Sequence, residues 1–423
     1  MARLRILLTC TTLARRSGSE AYTRDLAVGL LRQGHAPVVY STEMGEMAHE
    51  IKMATVPVVD DLARLSVPPD VIHGNHHLEL MTALLHFPGV PGLHVCHAWN
   101  SVEASPPRFP RILRYVAVDE TSRDRLLLED GVPEAQVRVH FNSVDLDRFR
   151  PRGALPPKPL RALVFSNYAS EHTHLPAVRE ACTRAGIALD AIGSGVGNSV
   201  PQPELALGGY DLVFAKARSA LESMAVGTAV VLCDSTGVGP MVTAAELDAL
   251  RQSNFEIRTL RYPLDAEVLA REIARYDAAD AAEVSRRVRA TAGLDEAAQR
   301  MVEIYQELIG EHRGATADRE EEERAASTYL RWLSVTSREA RHDLTSRTGR
   351  AETDRDRLSD EIRQLRAQQE ALEERLGTTE AERESYRAEV AYVTQSATWR
   401  LRNRLARWKP LMSAYLLFRR SRR

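Results

Sequence analysis

Short apolar runs alternate with amphipathic segments along most of the chain, a pattern typical of buried parallel strands joined by helices. The clearest example is residues 210–234, where 212–215 is predicted as a buried strand, a helix begins near Ala217, and 228–233 is predicted as a second buried strand. Such a unit aims the N–H groups at the start of its helix toward the crevice beyond the strand ends. We therefore expect phosphate to bind at this corner.

Three polar residues surround that corner. Lys216 and Arg218 flank the strand-to-helix turn, where two cations would add to the helix dipole and hold a diphosphate leaving group. Glu222 lies one helical turn beyond Arg218, so it faces the same crevice, where its carboxylate can accept both hydroxyls of a ribose. The alternative is that both cations are solvated surface residues.

The first half of the chain repeats the alternation. Strands are predicted at 4–10, 37–41, 70–77, 92–98, 115–118 and 137–142, and helices at 20–33 and 121–128. Gly18 lies in the loop after the first strand, where glycine lets the backbone approach a ligand closely, although an ordinary loop is an equally good interpretation. His97 ends the fourth strand, where a neutral imidazole can donate one hydrogen bond and accept another, and the alternative is a structural strand-end histidine.

Three histidines cluster at the end of the 70–77 strand, His73, His76 and His77. A metal site is the less favoured interpretation, because no acidic residue or cysteine stands at ligand spacing around them. We expect substrate-edge or loop histidines instead.

A change of composition marks the middle of the chain. Residues 150–159 contain four prolines and are predicted to be a stiff interdomain linker. A second sheet is then predicted, with a strand at 160–166, a helix at 175–185 and a strand at 189–193. The glycines of 193–197 have the wrong spacing for a dinucleotide fingerprint, and the proline-containing segment 199–203 is not expected to open a helix.

Residues 236–242 follow the last predicted strand of that sheet. We expect Gly237 and Gly239 in this segment to present backbone donors beside the phosphates. Helices are predicted at 266–275, 281–291 and 296–309, the last with Met301, Ile304 and Tyr305 on one face.

The chain turns strongly charged after residue 310. Residues 311–357 are predicted to be a charged linker or helix, and 358–396 to be a coiled coil whose seam positions alternate by four and three. A lone amphipathic helix is the alternative. The predicted seam comprises Leu358, Ile362, Leu365, Gln369, Leu372, Leu376, Thr379, Arg383, Tyr386, Val390 and Val393.

Residues 397–423 are predicted to form a basic amphipathic tail. From Thr398 onward it carries nine Lys and Arg and no acid, interleaved with aromatic and aliphatic residues. This composition suits an anionic membrane surface, and RNA binding is the competing use of the same pattern.

Composition limits the remaining possibilities. The 423 residues, 44 % of them hydrophobic, suffice for two globular domains and a long tail, and the net charge of −2 does not favour nucleic-acid binding. Cys10, Cys96, Cys182 and Cys233 have no metal-ligand spacing and are expected to be buried free thiols in a reducing cytoplasm. The apolar run at 6–10 is too short for a signal peptide or a membrane span, so a cytoplasmic protein is expected.

Several motifs together resemble one family. The run that begins at Glu222, ESMAVGTAVV, resembles the E-A-M-A-x-G-x-P-V-V signature of the family 4 (group 1) retaining glycosyltransferases. Residues 17–20 and 34–35 are similar to the family's opening G-G-x-E…G-H, 70–73 to its D-V-V-H strand, and 142–149 to its N-G-V-D-x-x-x-F run. The resemblance covers about three quarters of the chain.

The resemblance implies a fold and a reaction. The fold would be α/β, with two Rossmann-like doubly wound domains (GT-B) at 1–150, on the acceptor side, and 151–310, which binds the nucleotide sugar. Transfer would be metal-independent and without a cofactor, from a nucleotide-diphosphate sugar to a glycan or lipid-linked acceptor of a cell-surface polysaccharide. Glu222 would hold the ribose, and His97 the sugar, as the catalytic pair.

This chain departs from the family at two places. The position of the family's sugar-contacting Glu is Phe214, and Asn167 begins a segment that replaces the usual Arg/Lys diphosphate clamp. We expect Lys216 and Arg218 to supply that charge, with Asn167 among the donor-binding residues. A catalytically degenerate scaffold assembled through its coiled coil, and a sugar-nucleotide epimerase or phosphorylase, are the alternative functions.

Overall fold

Two main sheets, each flanked by helices, organise the first three quarters of the chain in a computed structural model that describes residues 2–314 and 318–420. By its internal contacts the chain divides into two units, Met1–Leu330 and Arg331–Arg423. Both sheets belong to the first unit.

The first α/β domain is built on a seven-stranded parallel sheet with order β5-β3-β1-β6-β7-β8-β9. The apolar runs that predict its strands are buried on both faces, as parallel sheets require. A two-stranded piece, β2 with β4, lies outside this sheet. The helices and strands of the first domain, in chain order, are β1 Arg5–Thr9, β2 Thr12–Leu13, α1 Gly18–Arg32, β3 Ala36–Tyr40, β4 Glu43–Met44, α2 Glu46–Met53, β5 Val58–Val59, β6 Val71–Gly74, α3 His77–His86, β7 Gly92–Cys96, β8 Ile112–Ala117, α4 Glu120–Asp124 and β9 Val137–Val139.

The second α/β domain has a five-stranded sheet with order β11-β10-β12-β13-β14. Its elements are β10 Arg161–Phe165, α5 Leu175–Ala185, β11 Ala188–Ile192, α6 Pro203–Leu207, β12 Leu212–Ala215, α7 Ala217–Val226, β13 Ala229–Asp234, β14 Gly237–Met241, α8 Leu247–Gln252, α9 Ala266–Ile273 and α10 Ala278–Thr291. The strand–helix–strand unit predicted at 210–234 is confirmed, and Gly227 ends α7 with a φ of 97° that favours glycine.

Two sequence-based expectations in this domain are wrong. The strand before residues 236–242 is not the last of the sheet, because Gly237–Met241 forms strand β14, antiparallel to β13, and the Val238 N–H donates to the Tyr262 carbonyl at 2.9 Å. The proline-containing segment does lead into a helix, since α6 begins at Pro203. Proline is tolerated there because the first helical N–H has no partner within the helix.

A helix from the second half of the chain completes the core of the first domain. Helix α11, Leu294–Arg313, buries Met301, Tyr305 and Leu308 in the same cluster as Leu26 and Leu30 of α1. The first domain is therefore closed by residues that lie after the second domain in sequence.

The start of the following helix, α12 (Arg319–Gln395), also packs on the first domain. Arg111, which is 3 % exposed, donates to both carboxylate oxygens of Glu322 at 2.8 and 3.1 Å and to the Leu84, Phe87 and Val90 carbonyls. The Tyr329 hydroxyl lies 2.8 Å from Nδ1 of His77. These contacts fix the first three turns of α12.

The unit from residue 331 onward is helical in its described part except at Ser396. It contains the rest of α12 and α13, Ala397–Arg420, so the predicted boundary between a charged segment and a coiled coil near residue 357 is not a break in the helix. The apolar residues of the predicted seam are exposed by 42–68 % in this single chain: Leu358, Ile362, Leu365, Leu372, Leu376, Tyr386, Val390 and Val393. Within the described residues, no helix is both long and apolar enough to cross a membrane.

Candidate active site

Each sheet has one switch point, where the chain reverses the direction in which it adds strands. In the first domain it lies between β1 and β6, and in the second between β10 and β12. Ligands of doubly wound sheets bind beyond the carboxyl ends of the strands at such points. Asn75 and His76 follow β6, Asn167 follows β10 and Lys216 follows β12, so all four stand at switch points.

The turn from β12 into α7 has an unusual backbone. Ala217 has a φ of 50°, in the left-handed region that residues with a β-carbon rarely adopt, and its N–H donates to the Phe255 carbonyl at 3.0 Å. Lys216, as the N-cap, makes no side-chain hydrogen bond to the helix start. The beginning of α7 therefore lacks the usual polar cap at the place where an anion is predicted to bind.

Arg218 joins the two domains. Its guanidinium pairs with the Asp25 carboxylate of α1 and donates from Nε to Oε1 of Glu222 at 2.8 Å. Burial alone would raise the pKa of Asp25, but Arg218, Arg24 and Arg148 outweigh it and hold that pKa below its usual range. The Arg218 pKa is raised despite burial, because two carboxylates stabilise the cation. Both groups are therefore charged.

Glu222 also faces the first domain. It is 2 % exposed, and Arg16, in the loop before α1, lies 3.6 Å from Oε1. Beside this cluster opens a cavity of about 810 Å³, lined by α1 and α2 residues and by residues 200–206, with Arg24 and Arg148 in its wall. The carboxylate predicted to bind ribose thus lies between the domains.

Lys216 points into a different cluster within the second domain. Its Nζ lies 2.9 Å from Asp234 and 3.2 Å from Glu256, and 5.6 Å from the Tyr168 ring centre. Burial would lower the Lys216 pKa, but Glu256 and Asp234 raise it above its usual value. Burial raises the pKa of Glu256. A bound diphosphate would have to share Lys216 with these two carboxylates.

His174 lies next to that cluster, at the start of α5. It is fully buried, 4.0 Å from Asp234, and neither ring nitrogen has a hydrogen-bond partner among the described residues. Burial lowers its pKa, so it is a neutral imidazole. Sequence reasoning missed this residue.

On the first domain, His97 directly follows β7 and lies against Tyr22 of α1, with ring centres 4.7 Å apart in an edge-to-face arrangement. Its Nε2 is 2.9 Å from Oδ1 of Asn75. Burial lowers the His97 pKa well below its usual value, so this imidazole is also neutral. The Tyr22 hydroxyl is buried without a partner among the described residues.

Comparison with known protein families identifies the first domain. Residues 16–148 match the model of Glycosyltransferase Family 4. This part of the chain is a family 4 glycosyltransferase domain. A comparison with curated proteins finds no match.

Two solved structures illustrate the similarity of fold. A glycosyltransferase from Rickettsia africae is 15 % identical, with a TM-score of 0.53, over 73 % of this chain and 99 % of its own. HepE of Anabaena, solved in complex with UDP and glucose, is 14 % identical, with a TM-score of 0.52, over 72 % of this chain and all of its own. At these identities the likeness establishes the GT-B fold. With the family match, it supports a glycosyltransferase.

The structure brings together part of the predicted donor site of this glycosyltransferase fold. Asn167 spans the cleft, donating to the Arg16 carbonyl at 3.4 Å and accepting from the Ser194 N–H at 3.1 Å. Gly18 begins α1, and a β-carbon there would meet no atom within 4 Å, so packing does not require glycine at this position. The donor-binding roles of both residues stay predictions.

Gly237 and Gly239 have a packing explanation instead. A β-carbon at Gly237 would lie 2.8 Å from the Tyr262 carbonyl oxygen, and one at Gly239 would lie 2.7 Å from the Thr259 carbonyl oxygen. Both glycines let β14 run close to the backbone of residues 259–262. Phe214, which replaces the family's sugar-contacting Glu, is fully buried in the core.

Sequence reasoning did not find several of the residues that define the site. Asp25 and Asn75 approach the predicted residues from the first domain, and Asp234 and Glu256 from the second. The one available signal was a carboxylate on the apolar face of α1, since Asp25 lies between the buried Tyr22 and Leu26. Among the described residues, no three His, Cys, Asp or Glu side chains are placed to share a metal ion.

Proposed function

We propose that the protein transfers a sugar, with retention of anomeric configuration, from a nucleotide-sugar donor to a glycan or glycolipid acceptor in cell-surface polysaccharide synthesis. The observation that carries this proposal is the position of Arg218 and Glu222, side by side on α7 and facing α1 across the cleft. A cation beside a carboxylate, at a helix start and a switch point, suits a nucleoside diphosphate.

Each part of the donor then has a partner. Glu222 accepts the ribose hydroxyls, Lys216 and Arg218 hold the diphosphate, and His97 binds the transferred sugar from the first domain. We assign residues 1–150 to the acceptor side and 151–310 to the nucleotide sugar. Closing the cleft would bring the acceptor hydroxyl to the sugar and exclude water, and proximity of this kind supplies much of the rate.

The test is a panel of UDP-, GDP- and TDP-sugars with release of the nucleotide as the readout. UDP-glucose comes first, because HepE was solved with UDP and glucose. Release that depends on an added acceptor supports transfer, and the anomeric configuration of the product decides retention. Release without a glycosylated product would favour an epimerase or phosphorylase.

A catalytically degenerate scaffold is the second candidate function. It is favoured by Phe214, by the absent Arg/Lys clamp, and by protein carboxylates that already pair with both Lys216 and Arg218. Titration calorimetry with the same panel separates the two functions. Binding of any nucleotide sugar supports the enzyme, and no binding to any supports the scaffold.

We propose that the chain forms a homo-oligomer through the predicted coiled coil. The exposed apolar seam on α12 supports this, because such a stripe is stable in water when a partner helix covers it. Light scattering of the full chain is expected to give a multiple of 47.2 kDa. Leu365→Glu with Leu372→Glu should give the monomer mass, whereas Arg366→Glu with Glu373→Arg, off the seam, should not.

We propose that the segment from residue 398 onward binds an anionic membrane surface at the cytoplasmic face. Its nine cations support this, since each contributes about 1 kcal/mol near such a surface. Residues 421–423 and the side chains of 408–412 and 415–420 lie outside what the structure describes. Flotation with anionic liposomes, lost when this segment is deleted, is the expected result, whereas retention of an RNA probe without flotation would favour the RNA alternative.

A further inference from the structure

The hydrogen bonds around Asn75 have a direction that the structure determines. Asn75 is fully buried, and its Nδ2 lies 3.0 Å from the Thr9 carbonyl oxygen and 2.9 Å from Oγ1 of Thr23. A carbonyl oxygen can only accept, so the amide nitrogen must face it and the amide orientation is fixed. Thr23 in turn donates from Oγ1 to the Ser19 carbonyl at 2.7 Å, which leaves it as the acceptor from Asn75.

The amide oxygen of Asn75 therefore faces two histidines. Oδ1 lies 2.9 Å from Nε2 of His97 and 3.3 Å from Nε2 of His73. An amide oxygen accepts only, so each of these ring nitrogens must carry a proton. Burial lowers the pKa of His73 to about 3 and that of His97 well below its usual value, so each ring carries one proton only. Both imidazoles are the Nε2–H tautomer.

The remaining ring nitrogens are consequently bare. Nδ1 of His73 is 2.7 Å from the Tyr305 hydroxyl of α11, which must donate to it. Nδ1 of His97 has no hydrogen-bond partner among the described residues, and the Tyr22 hydroxyl beside the same ring is unpartnered as well. The network therefore ends in one ring nitrogen, on the partly exposed His97, and one buried hydroxyl, on Tyr22, and no group among the described residues pairs with either.

We propose that Asn75 is a positioning residue that holds His97 as the Nε2–H tautomer, so that Nδ1 presents a lone pair which accepts a hydrogen bond from a hydroxyl of the transferred sugar. The tautomer follows from the network together with the burial of the ring, and the sugar contact rests on the proposed function. His97 then selects a donor whose hydroxyl points at Nδ1, because an acceptor cannot pair with a second acceptor such as a carboxylate.

Nitrogen NMR of the full chain, labelled with ¹⁵N at histidine, tests the tautomer. The His97 signals are identified by their absence from His97→Gln. We expect a protonated Nε2 and an unprotonated Nδ1 at about pH 7. In Asn75→Leu, which removes the acceptor, His97 should populate both tautomers. Thr23→Val removes the neighbouring bond to the same amide and should leave the His97 signals unchanged.

Two results would overturn the proposal: a proton on Nδ1 in the wild-type protein, or an unchanged His97 spectrum in Asn75→Leu. Should Asn75→Leu not fold, Asn75→Asp keeps an oxygen near Nε2 and adds a charge, which should favour the doubly protonated ring. A His97 ring without a proton on Nε2 in that variant would equally contradict the assignment.

Kinetics tests the sugar contact separately. With a donor that the wild-type protein turns over, Asn75→Leu should lose about tenfold in kcat/KM, as expected when one hydrogen bond to the sugar is lost. Thr23→Val should lose less than about twofold. Equal losses in both variants would make the role of Asn75 purely structural. Absence of any turnover by the wild-type protein contradicts the proposed function, whereas the spectra alone decide the tautomer.

Discussion

The guanidinium of Arg218 pairs with the carboxylate of Asp25, although 193 residues separate them in sequence. The pair is buried and joins helix α7 of the second domain to helix α1 of the first. The Asp25 carboxylate thus contacts the part of the Arg218 guanidinium that a bound diphosphate would also have to contact. A nucleotide donor has to displace this carboxylate or share the cation with it.

Replacing Asp25 by Asn should therefore tighten binding of the nucleotide. Arg218 would lose its competing anion, and affinity for UDP measured by calorimetry should rise about tenfold, equivalent to about 1.4 kcal/mol. The free energy of unfolding without nucleotide should fall by about 3 kcal/mol, because three arginines lose a buried counter-charge. Asp147→Asn, at a 75 %-exposed carboxylate, is the matched control and should change neither value. Unaltered or weaker UDP binding in Asp25→Asn would show that Asp25 does not compete.

The double variant Lys216→Ala with Arg218→Ala should abolish nucleotide binding. Each cation contributes a charge-assisted hydrogen bond of about 1.5–3 kcal/mol, so the loss in affinity should exceed about a hundredfold. Arg179→Ala with Arg184→Ala removes the same charge from exposed positions on α5 and should have little effect. Full affinity in the first variant would remove both residues from the donor site.

Glu222→Gln should abolish the preference for a nucleotide with ribose over one with 2′-deoxyribose. A carboxylate that accepts both hydroxyls of the sugar discriminates against a nucleotide lacking one of them. We expect the wild-type protein to bind UDP about tenfold more tightly than 2′-deoxy-UDP and the variant to bind both alike. Calorimetry with the two nucleotides measures this ratio. Equal binding of the two by the wild-type protein would place Glu222 away from the ribose.

Stability should fall as the pH falls below about 6.5, because burial lowers the pKa of eight histidines among the described residues. These are His35, His73, His76, His77, His94, His97, His140 and His174. Below the usual histidine pKa the unfolded chain binds protons that the folded protein does not, so the free energy of unfolding decreases. The stability associated with the neutral His73 ring is fully present above about pH 6.5. It is lost progressively as the pH falls toward about 3.

Urea unfolding between about pH 7.5 and about pH 5 measures how steeply the free energy of unfolding changes with pH. This slope is up to about 1.4 kcal/mol per pH unit for each histidine. His94→Gln should reduce the slope by about that amount, since an amide can still donate to the Ala104 carbonyl that His94 contacts at 3.1 Å. His172→Gln, at an exposed position, is the control and should not alter it. A flat profile over this range would contradict the prediction.

Glu322→Gln should release the start of α12 from the first domain. The variant leaves the buried Arg111 without its carboxylate, which should cost about 3 kcal/mol and raise hydrogen exchange of residues 319–330. Glu320→Gln is the matched control, because Glu320 pairs with the exposed Arg324 at 3.4 Å. Equal exchange in the two variants would mean that the Arg111–Glu322 pair does not hold the helix.

Much of the fold could be predicted because strand and helix signals are local. Helix α5 and strand β12 begin and end at the predicted residues, since apolar runs and capping glycines mark their limits. Strand β14 could not be predicted in this way. Its glycines and proline are typical of a loop, and pairing with β13 and Tyr262 overrides that preference.

The site was predictable only in part, for a related reason. The residues of one turn, Lys216, Arg218 and Glu222, share a corner that the sequence specifies. Their partners Asp25, Asp234 and Glu256 come from other elements, and no local pattern relates them. The direction of the hydrogen bonds around Asn75 likewise depends on Thr9, Thr23 and Tyr305, which tertiary packing brings together.

Helix α11 also affects how the protein is made. Met301, Tyr305 and Leu308 fill the core of the first domain, yet the ribosome adds them more than 160 residues after Val139, where the last strand of that sheet ends. At typical elongation rates the ribosome needs roughly 10–30 s to reach α11 after completing the sheet. During this time part of the apolar face of the sheet is exposed to water. The nascent first domain is therefore a natural client for a chaperone, and it becomes stable only when the second domain has been synthesised.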